Sequence, residues 1–256
     1  MSGIVIVGAG QAGSSLAQKL RAENYEGRIT LIGEEPVPPY ERPPLSKGYL
    51  LGEQARERLF LRPEAFYAER DIALKLGVPV GNIDTAARSV SLGDETVPFE
   101  QLALVTGSEP IRLPGAIGGN LDGVFTVRTL ADIDTMRARF VQGARVLVVG
   151  GGYIGLEAAA VAAKRGLSVT LVEMAERILG RVASVETADV IRDAHVSHGV
   201  DLREGIGLER LLGEGSVSGA VLSDDVVSEK SSCHSYDDRS ARFVDNVVKF
   251  FTVRPG

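Results

Sequence analysis

Residues 4–13 read Ile4-Val5-Ile6-Val7-Gly8-Ala9-Gly10-Gln11-Ala12-Gly13. Four β-branched residues in a row predict a strand buried on both faces, as in a parallel sheet. The run stops at Gly8-x-Gly10-x-x-Gly13 and passes into SSLAQKLRAE, where Leu16, Ala17 and Leu20 recur at helical spacing. Such glycines alone say little; set between a strand and a helix they read as a dinucleotide-binding turn. Gly8 permits the tight turn, Gly10 lets the backbone approach a pyrophosphate, and Gly13 lets helix and strand pack closely. The helix N-terminus adds unpaired N–H groups and a partial positive charge. A second strand over 28–32 runs into Gly33-Glu34-Glu35, which sets an acid about 20 residues after the glycines, where a ribose hydroxyl is held.

The whole pattern returns 142 positions later. A strand over 145–149 leads into Gly150-Gly151-Gly152-Tyr153-Ile154-Gly155, then an alanine-rich helix over 156–165 closed by Gly166, and a strand over 168–173 ending in Glu173. This is a repeated domain plan rather than a solenoid. Two such units in one chain, each with its acid, predict an α/β fold of two Rossmann-like dinucleotide-binding domains with parallel sheets, and two bound nucleotides. A carboxylate at Glu173 accepts hydrogen bonds from a free 2′-hydroxyl and repels a 2′-phosphate. No arginine pair follows it, Arg177 being four residues on, so NAD(H) is favoured over NADP(H).

The bulk numbers agree with a globular enzyme-sized chain. At 256 residues, with 44% hydrophobic and 24% charged content, one or two domains are expected. A net charge of −6 gives no reason to expect nucleic acid or an anionic membrane as partner. No apolar run approaches about 18 residues, and the first strand starts too early for a signal peptide, so the expected location is the cytoplasm. Cys233 stands alone, which excludes an intrachain disulfide and an internal redox-active cysteine pair. His195-x-x-His198 lacks further ligands at metal spacing and reads as a solvated helix end; no metal site is expected.

Between the two units the chain carries loop and connector signals. Five of the 11 prolines fall within residues 36–44, predicting a stiff extended loop at the ligand edge of the sheet. Lys47 ends that loop, as a ligand or as an ordinary surface lysine. Residues 59–75 are expected to be helical, 78–92 a small strand set, and 102–105 a short buried strand closed by Thr106-Gly107. Pro110, Pro114 and GAIGGNLDG mark a domain boundary. Thr129 is expected to cap the next helix, with Asp132 at its third position.

The residues that carry a family likeness are Pro39-Tyr40-Glu41-Arg42-Pro43-Pro44-Leu45-Ser46-Lys47, Leu61-Arg62-Pro63-Glu64, Thr106-Gly107, Gly150 to Glu157, and Val221-Leu222-Ser223-Asp224. By these the chain resembles the FAD-dependent, NADH-dependent ferredoxin reductases of bacterial oxygenase systems, the putidaredoxin and rhodocoxin reductase type. The likeness implies an FAD-binding domain over residues 1–112 and an NAD-binding domain over 113–224. FAD would be held by Gly8, Gly10, Ala12, Gly13, Arg42, Thr106 and Gly107, with Glu34 on the adenosine ribose, Val80 near the adenine and Lys47 near the flavin. NADH would be held by Gly150, Gly152, Tyr153, Ile154 and Gly155, with Glu173 on its ribose. Lys47 and Glu157 are the catalytic pair it implies: a cation beside the flavin stabilises the anionic reduced form, and an opposite charge keeps that cation placed. The implied chemistry is hydride transfer from NADH to FAD, then two single-electron transfers to a ferredoxin-type iron–sulfur protein. An NADH oxidase or a rubredoxin reductase would differ only in the acceptor.

Proteins of this type leave the FAD domain, build the NAD domain and return with a strand-borne Gly-Asp that contacts FAD. Here the likeness stops at Asp224, and residues 225–256 hold neither a Gly-Asp nor a long buried-strand run. Two readings stand: an atypical tail on a truncated or frame-shifted reductase, or a genuine short C-terminus. In the second, Phe243, Val244, Val247, Val248 and Phe251 fall at helical spacing and predict an amphipathic helix over 240–253. A non-catalytic, flavin-free NAD-binding chain is the alternative function.

Overall fold

The computed structural model describes residues 3–223, 241–243 and 246–249. Along the chain, β1 (Gly3–Val7) leads to α1 (Gln11–Ala22), β2 (Ile29–Gly33), the short helices α2 (Gly48–Leu51) and α3 (Glu64–Ala68), and strands β3 (Ile72–Leu76), β4 (Asn82–Asp84), β5 (Ser89–Leu92) and β6 (Glu95–Leu104). Then come β7 (Val124–Thr126), α4 (Leu130–Arg139), β8 (Arg145–Val149), α5 (Tyr153–Lys164), β9 (Ser168–Glu173), α6 (Val185–Ser197) and β10 (Asp201–Glu204). Strands β11 (Leu208–Leu212), β12 (Gly219–Leu222), β13 (Ala241–Phe243) and β14 (Asn246–Lys249) complete the described chain. Two compact units result: Met1–Pro44 with Gln54–Ser108, and Leu45–Glu53 with Glu109–Gly256.

The first unit is built on the sheet β3-β2-β1-β6-β5-β4. β1 is buried along its whole length, as four successive β-branched residues demand, and pairs in parallel with β2 and β6. The chain moves from β1 to β2 on one side and later to β6 on the other, so the topological switch falls at the end of β1. Helix α1 covers one face, with Ala17 packed on Ile4, Ile6, Ile29 and Leu31. The other face packs Val5, Val7 and Ile32 on Val90, Leu92, Val97 and Phe99.

The second unit repeats the plan in the all-parallel sheet β10-β9-β8-β14-β7, with a small sheet β11-β12-β13 beside it. Here the switch falls at the end of β8. Thr129 and Asp132 form the expected capping box on α4. Gly166 follows α5 with φ +79, as a residue just past a helix end.

Four expectations are corrected. Residues 59–75 are not one helix: after α3, Asp71 turns at φ +51 and Ile72–Leu76 becomes a strand in register with β2. The alternation Ile72, Leu74, Leu76 finds a parallel partner, and that pairing outweighs helical propensity. Of residues 102–105, Leu102 to Leu104 end the longer strand β6 and Val105 lies just past it, and Leu104 is 60% exposed rather than buried. His195 is no solvated helix end, for its ring nitrogens lie 2.8 Å from the Ile191 carbonyl and 3.1 Å from that of Leu156; His198 is exposed. Among the described residues no His, Cys, Asp or Glu cluster suits a metal.

The fourth correction concerns the C-terminal stretch. Asn246–Lys249 is strand, not helix, and lies between β8 and β7, parallel to both. Val247 and Val248 are both completely buried. Consecutive residues of a strand point to opposite faces, so two adjacent buried valines mark a strand covered on both sides. Asp224, Cys233, His234, Val244 and Phe251 lie outside the described residues. Among the described residues no helix is long and apolar enough to cross a membrane.

In the first unit α1 is tied to α3 by a buried bond: the Tyr67 and Ser14 hydroxyls share a hydrogen bond of 2.7 Å. Both residues are fully buried, and burial pushes the Tyr67 phenol above its usual 10.0. Tyr67→Phe is therefore expected to cost about 1 kcal/mol in denaturant unfolding. The unfolded chain releases the phenol proton before the folded chain does, so the wild type loses stability as pH rises past 10.0. That alkaline loss is smaller in Tyr67→Phe, which unfolding curves on both sides of this pH would show.

Candidate functional site

In the first unit, β1 becomes α1 within three residues. Gly8 turns at φ +118, and a Cβ there would stand 2.1 Å from the Val105 carbonyl oxygen and 3.0 Å from the Thr106 nitrogen. A Cβ on Gly13 would stand 2.0 Å from the Gly8 carbonyl oxygen and 2.9 Å from Leu31 Cδ1. These two glycines are demanded by protein packing. Gly10 is different, because a Cβ there would meet nothing within 4 Å. Gly10 is also the N-cap of α1; no side chain caps it, and no acid stands in the first turn, which includes Ala12. The turn leaves bare N–H groups and an uncompensated helix dipole beside open space, the local chemistry of a phosphate cradle.

Around this turn the expected residues separate into two sets. Thr106 and Gly107 are exposed just past β6, Gly107 at φ +74. Glu34 is exposed one residue past β2, whereas Glu35 accepts from the Tyr40 hydroxyl at 2.7 Å and pairs with Arg42 at 2.7 Å. Arg42 also donates to the Tyr40 oxygen at 3.0 Å and lies over the Tyr40 ring. Arg42 is thus fixed in the proline-rich loop by its own neighbours. Val80 packs against the apolar cluster of Val5, Val7 and Ile32.

The second unit repeats the geometry closely. Gly150 turns at φ +113, and a Cβ on Gly152 would meet nothing within 4 Å. Gly152 caps α5 with no side-chain partner and no acid in the first turn. The helix starts at Tyr153, earlier than the alanine run suggests, and Tyr153 and Ile154 are 56% and 43% exposed in that turn. Gly155 is buried in α5.

Glu173 does more than end β9. One carboxylate oxygen accepts the Gly151 N–H at 2.7 Å and the other the Ala175 N–H at 2.8 Å. A Cβ on Gly151 would lie 2.6 Å from Ile178 Cγ2, so the loop after β9 packs directly on the turn. Arg177 is spent on that loop, donating to the Ala183 carbonyl at 2.9 Å and the Gly180 carbonyl at 3.3 Å. Glu204, at the end of β10, accepts the Ile178 N–H at 2.8 Å and pairs with Arg192 at 3.1 Å. Gly151 and Glu204 were not singled out from the sequence; an acid ending β10 beside the acid ending β9 is the signal that could have found Glu204.

Lys47 and Glu157 come together. Lys47 belongs to the segment Leu45–Glu53 of the second unit, and its ammonium lies 2.9 Å from one Glu157 oxygen. The other Glu157 oxygen accepts the Ser46 hydroxyl at 2.6 Å. Past Lys47 the segment is pinned to the same unit, the Tyr49 hydroxyl donating to Asp134 at 2.5 Å and Arg165 to the Leu50 carbonyl at 2.9 Å. Burial first, then the Asp134 carboxylate, pushes the Tyr49 phenol up.

Comparisons with known proteins identify the family and the fold. The family model described as pyridine nucleotide-disulphide oxidoreductase matches residues 2–233. The chain belongs to this family. It is 42% identical over 226 residues to a probable ferredoxin reductase of Castellaniella defragrans, covering 87% of this chain and 54% of that protein. It is 40% identical over 232 residues to rhodocoxin reductase of Rhodococcus erythropolis, covering 88% and 54%. The fold superposes on the crystal structure of the covalent putidaredoxin reductase–putidaredoxin complex with a TM-score of 0.89 at 33% identity, covering 99% of this chain and 59% of that one. The chain therefore spans about half the length of the curated relatives it matches. Its α/β architecture of two Rossmann-like units with parallel sheets is that of the family.

The glycine geometry separates packing from ligand approach. Gly13→Ala is expected to destabilise the protein by at least about 2 kcal/mol, since backbone must move to admit the methyl group. Gly10→Ala leaves the unfolding midpoint unchanged within error, because its methyl enters open space. Denaturant unfolding of both variants checks the contrast.

Proposed function

We propose that this chain belongs to an NADH-dependent, FAD-containing oxidoreductase of the cytoplasm that delivers electrons to a ferredoxin-type iron–sulfur protein of an oxygenase system. The observation that carries the proposal is the duplicated cradle: the strand-to-helix turns at Gly8 and Gly150 share φ values of +118 and +113, and Gly10 and Gly152 both face open space. Two cradles suit two dinucleotides. The relatives support the choice of partner, being named as a ferredoxin reductase and a rhodocoxin reductase.

The cofactors supply the redox chemistry, a hydride from NADH and a flavin that accepts a pair of electrons and releases them singly. The chain's own residues bind and orient. In the first unit the Gly10 turn and α1 N-terminus hold a diphosphate, and exposed Glu34 is left to meet the adenosine ribose. In the second, the Gly152 turn holds the diphosphate of NADH, with Tyr153 and Ile154 beside it. Glu173 receives the ribose hydroxyls with oxygens already aimed by the Gly151 and Ala175 N–H groups. Lys47, which pairs with Glu157, would provide the positive charge that favours the reduced flavin. With no second cysteine in the chain, electrons pass without an internal dithiol relay.

The reading is tested by a visible spectrum of the purified chain before and after anaerobic NADH. Flavin bands near one equivalent that bleach with NADH are expected; a colourless chain that takes up no added FAD but binds NAD(H) would replace this reading with a flavin-free NAD-binding protein. Nucleotide choice has its own test. Arg177 is occupied by loop carbonyls rather than aimed at a 2′-phosphate. Glu173→Arg is expected to weaken NADH binding at least about tenfold and to move the NADH/NADPH affinity ratio toward NADPH. An unchanged ratio in titrations with both nucleotides would remove Glu173 from that role.

A further inference from the structure

The ion pair of Lys47 and Glu157 is half open to water, the two side chains being 52% and 30% exposed. A pair so placed contributes little by itself and does not fix two flexible side chains in one geometry. Ser46 is another matter. It is 4% exposed, it ends a short 3-10 turn over Pro43–Ser46, and its hydroxyl donates to Glu157 at 2.6 Å. Short O–H···O bonds to a carboxylate are among the stronger hydrogen bonds, and burial shields this one from competing water. Two neighbouring residues, Ser46 and Lys47, therefore hold the two oxygens of one carboxylate, the first rigidly and the second loosely.

We infer that Ser46 is a positioning residue: it locks the Glu157 carboxylate in one orientation, and the locked carboxylate in turn sets where the Lys47 ammonium stands. The backbone past Lys47 is anchored separately through Tyr49 and Leu50. Loss of the Ser46 hydroxyl thus leaves the segment docked while freeing Glu157 to turn and Lys47 to leave it. The step from Lys47 to flavin chemistry rests on the function proposed above; the step from Ser46 to Lys47 does not.

The test is the acetylation rate of Lys47 by acetic anhydride in the full chain, read by peptide mass spectrometry with Lys19 as internal reference. Glu157→Gln sets the rate of the unpaired amine. Ser46→Ala is expected to raise the Lys47 rate about fivefold, toward that limit, as a loss of about 1 kcal/mol would. Ser46→Thr, which keeps the hydroxyl, stays at the wild-type rate, and Lys19 is unchanged throughout. Should Ser46→Ala not fold, Ser46→Cys replaces it with the same expected rise, a thiol being only a weak donor. A wild-type Lys47 rate in the Ser46 variant, or no response to Glu157→Gln, overturns the inference. In FAD-loaded protein, Ser46→Ala lowers the flavin midpoint potential as Lys47→Gln does, and the double variant goes no lower. A potential moved by Lys47→Gln alone also overturns it. A chain that binds no FAD defeats the proposed function and leaves the acetylation rates to decide on Ser46.

Discussion

Everything in each unit depends on one steric constraint: a buried central strand must turn into a helix that packs back on it with no side chain in the way. At Gly8 and Gly13 the clearance is set by carbonyl oxygens about 2 Å from where a Cβ would stand. That closeness lays α1 against β1 and β2 and aims its N-terminus along the carboxyl edge of the sheet. A ligand site follows from this without any dedicated side chain, since the open N–H groups are what the tight turn leaves over. The second unit turns at Gly150 with a φ close to that of Gly8, and there the loop after β9 closes on Gly151, and Glu173 joins turn and loop through both its oxygens.

Where local pattern and tertiary pairing agree, the sequence is an accurate guide. The two glycine turns, the strands β1, β8 and β9 and the cap at Thr129 were legible from local pattern, because glycines, β-branched runs and a capping residue each stand at a fixed place; the pairing of Lys47 with Glu157 followed only from the family likeness. Strands β3 and β14 were not. Ile72–Leu76 looks helical alongside α3, and Val247-Val248 fits a helical stripe as well as a doubly buried strand. Which alternative holds is decided by distant partners, β2 for one and β7 with β8 for the other, and a periodicity within a short window does not contain them.

The candidate site shows the same division at the level of side chains. Residue type and position placed Glu173, and the family likeness placed Lys47; only the fold shows what restrains them. Arg177, four residues past Glu173, serves the carbonyls of its own loop. Glu35, adjacent to Glu34 and chemically identical, is committed to Tyr40 and Arg42, which leaves the exposed Glu34 available. Within this neighbouring pair, commitment to the side chains of its own loop separates the structural carboxylate from the exposed one.

The position of β14 has a consequence for how the molecule comes into being. The strand that fills the gap between β8 and the edge strand β7 in the second sheet is the last described element of the chain, while both of those neighbours are made much earlier. As the chain leaves the ribosome, β7 and β8 cannot be hydrogen-bonded to each other through their final partner until β14 arrives. During that interval two strand edges with unpaired N–H and C=O groups face an open slot. Assembly of the second unit is thereby tied to a late, long-range contact, the kind that slows folding and exposes a nascent chain to strand exchange with its neighbours.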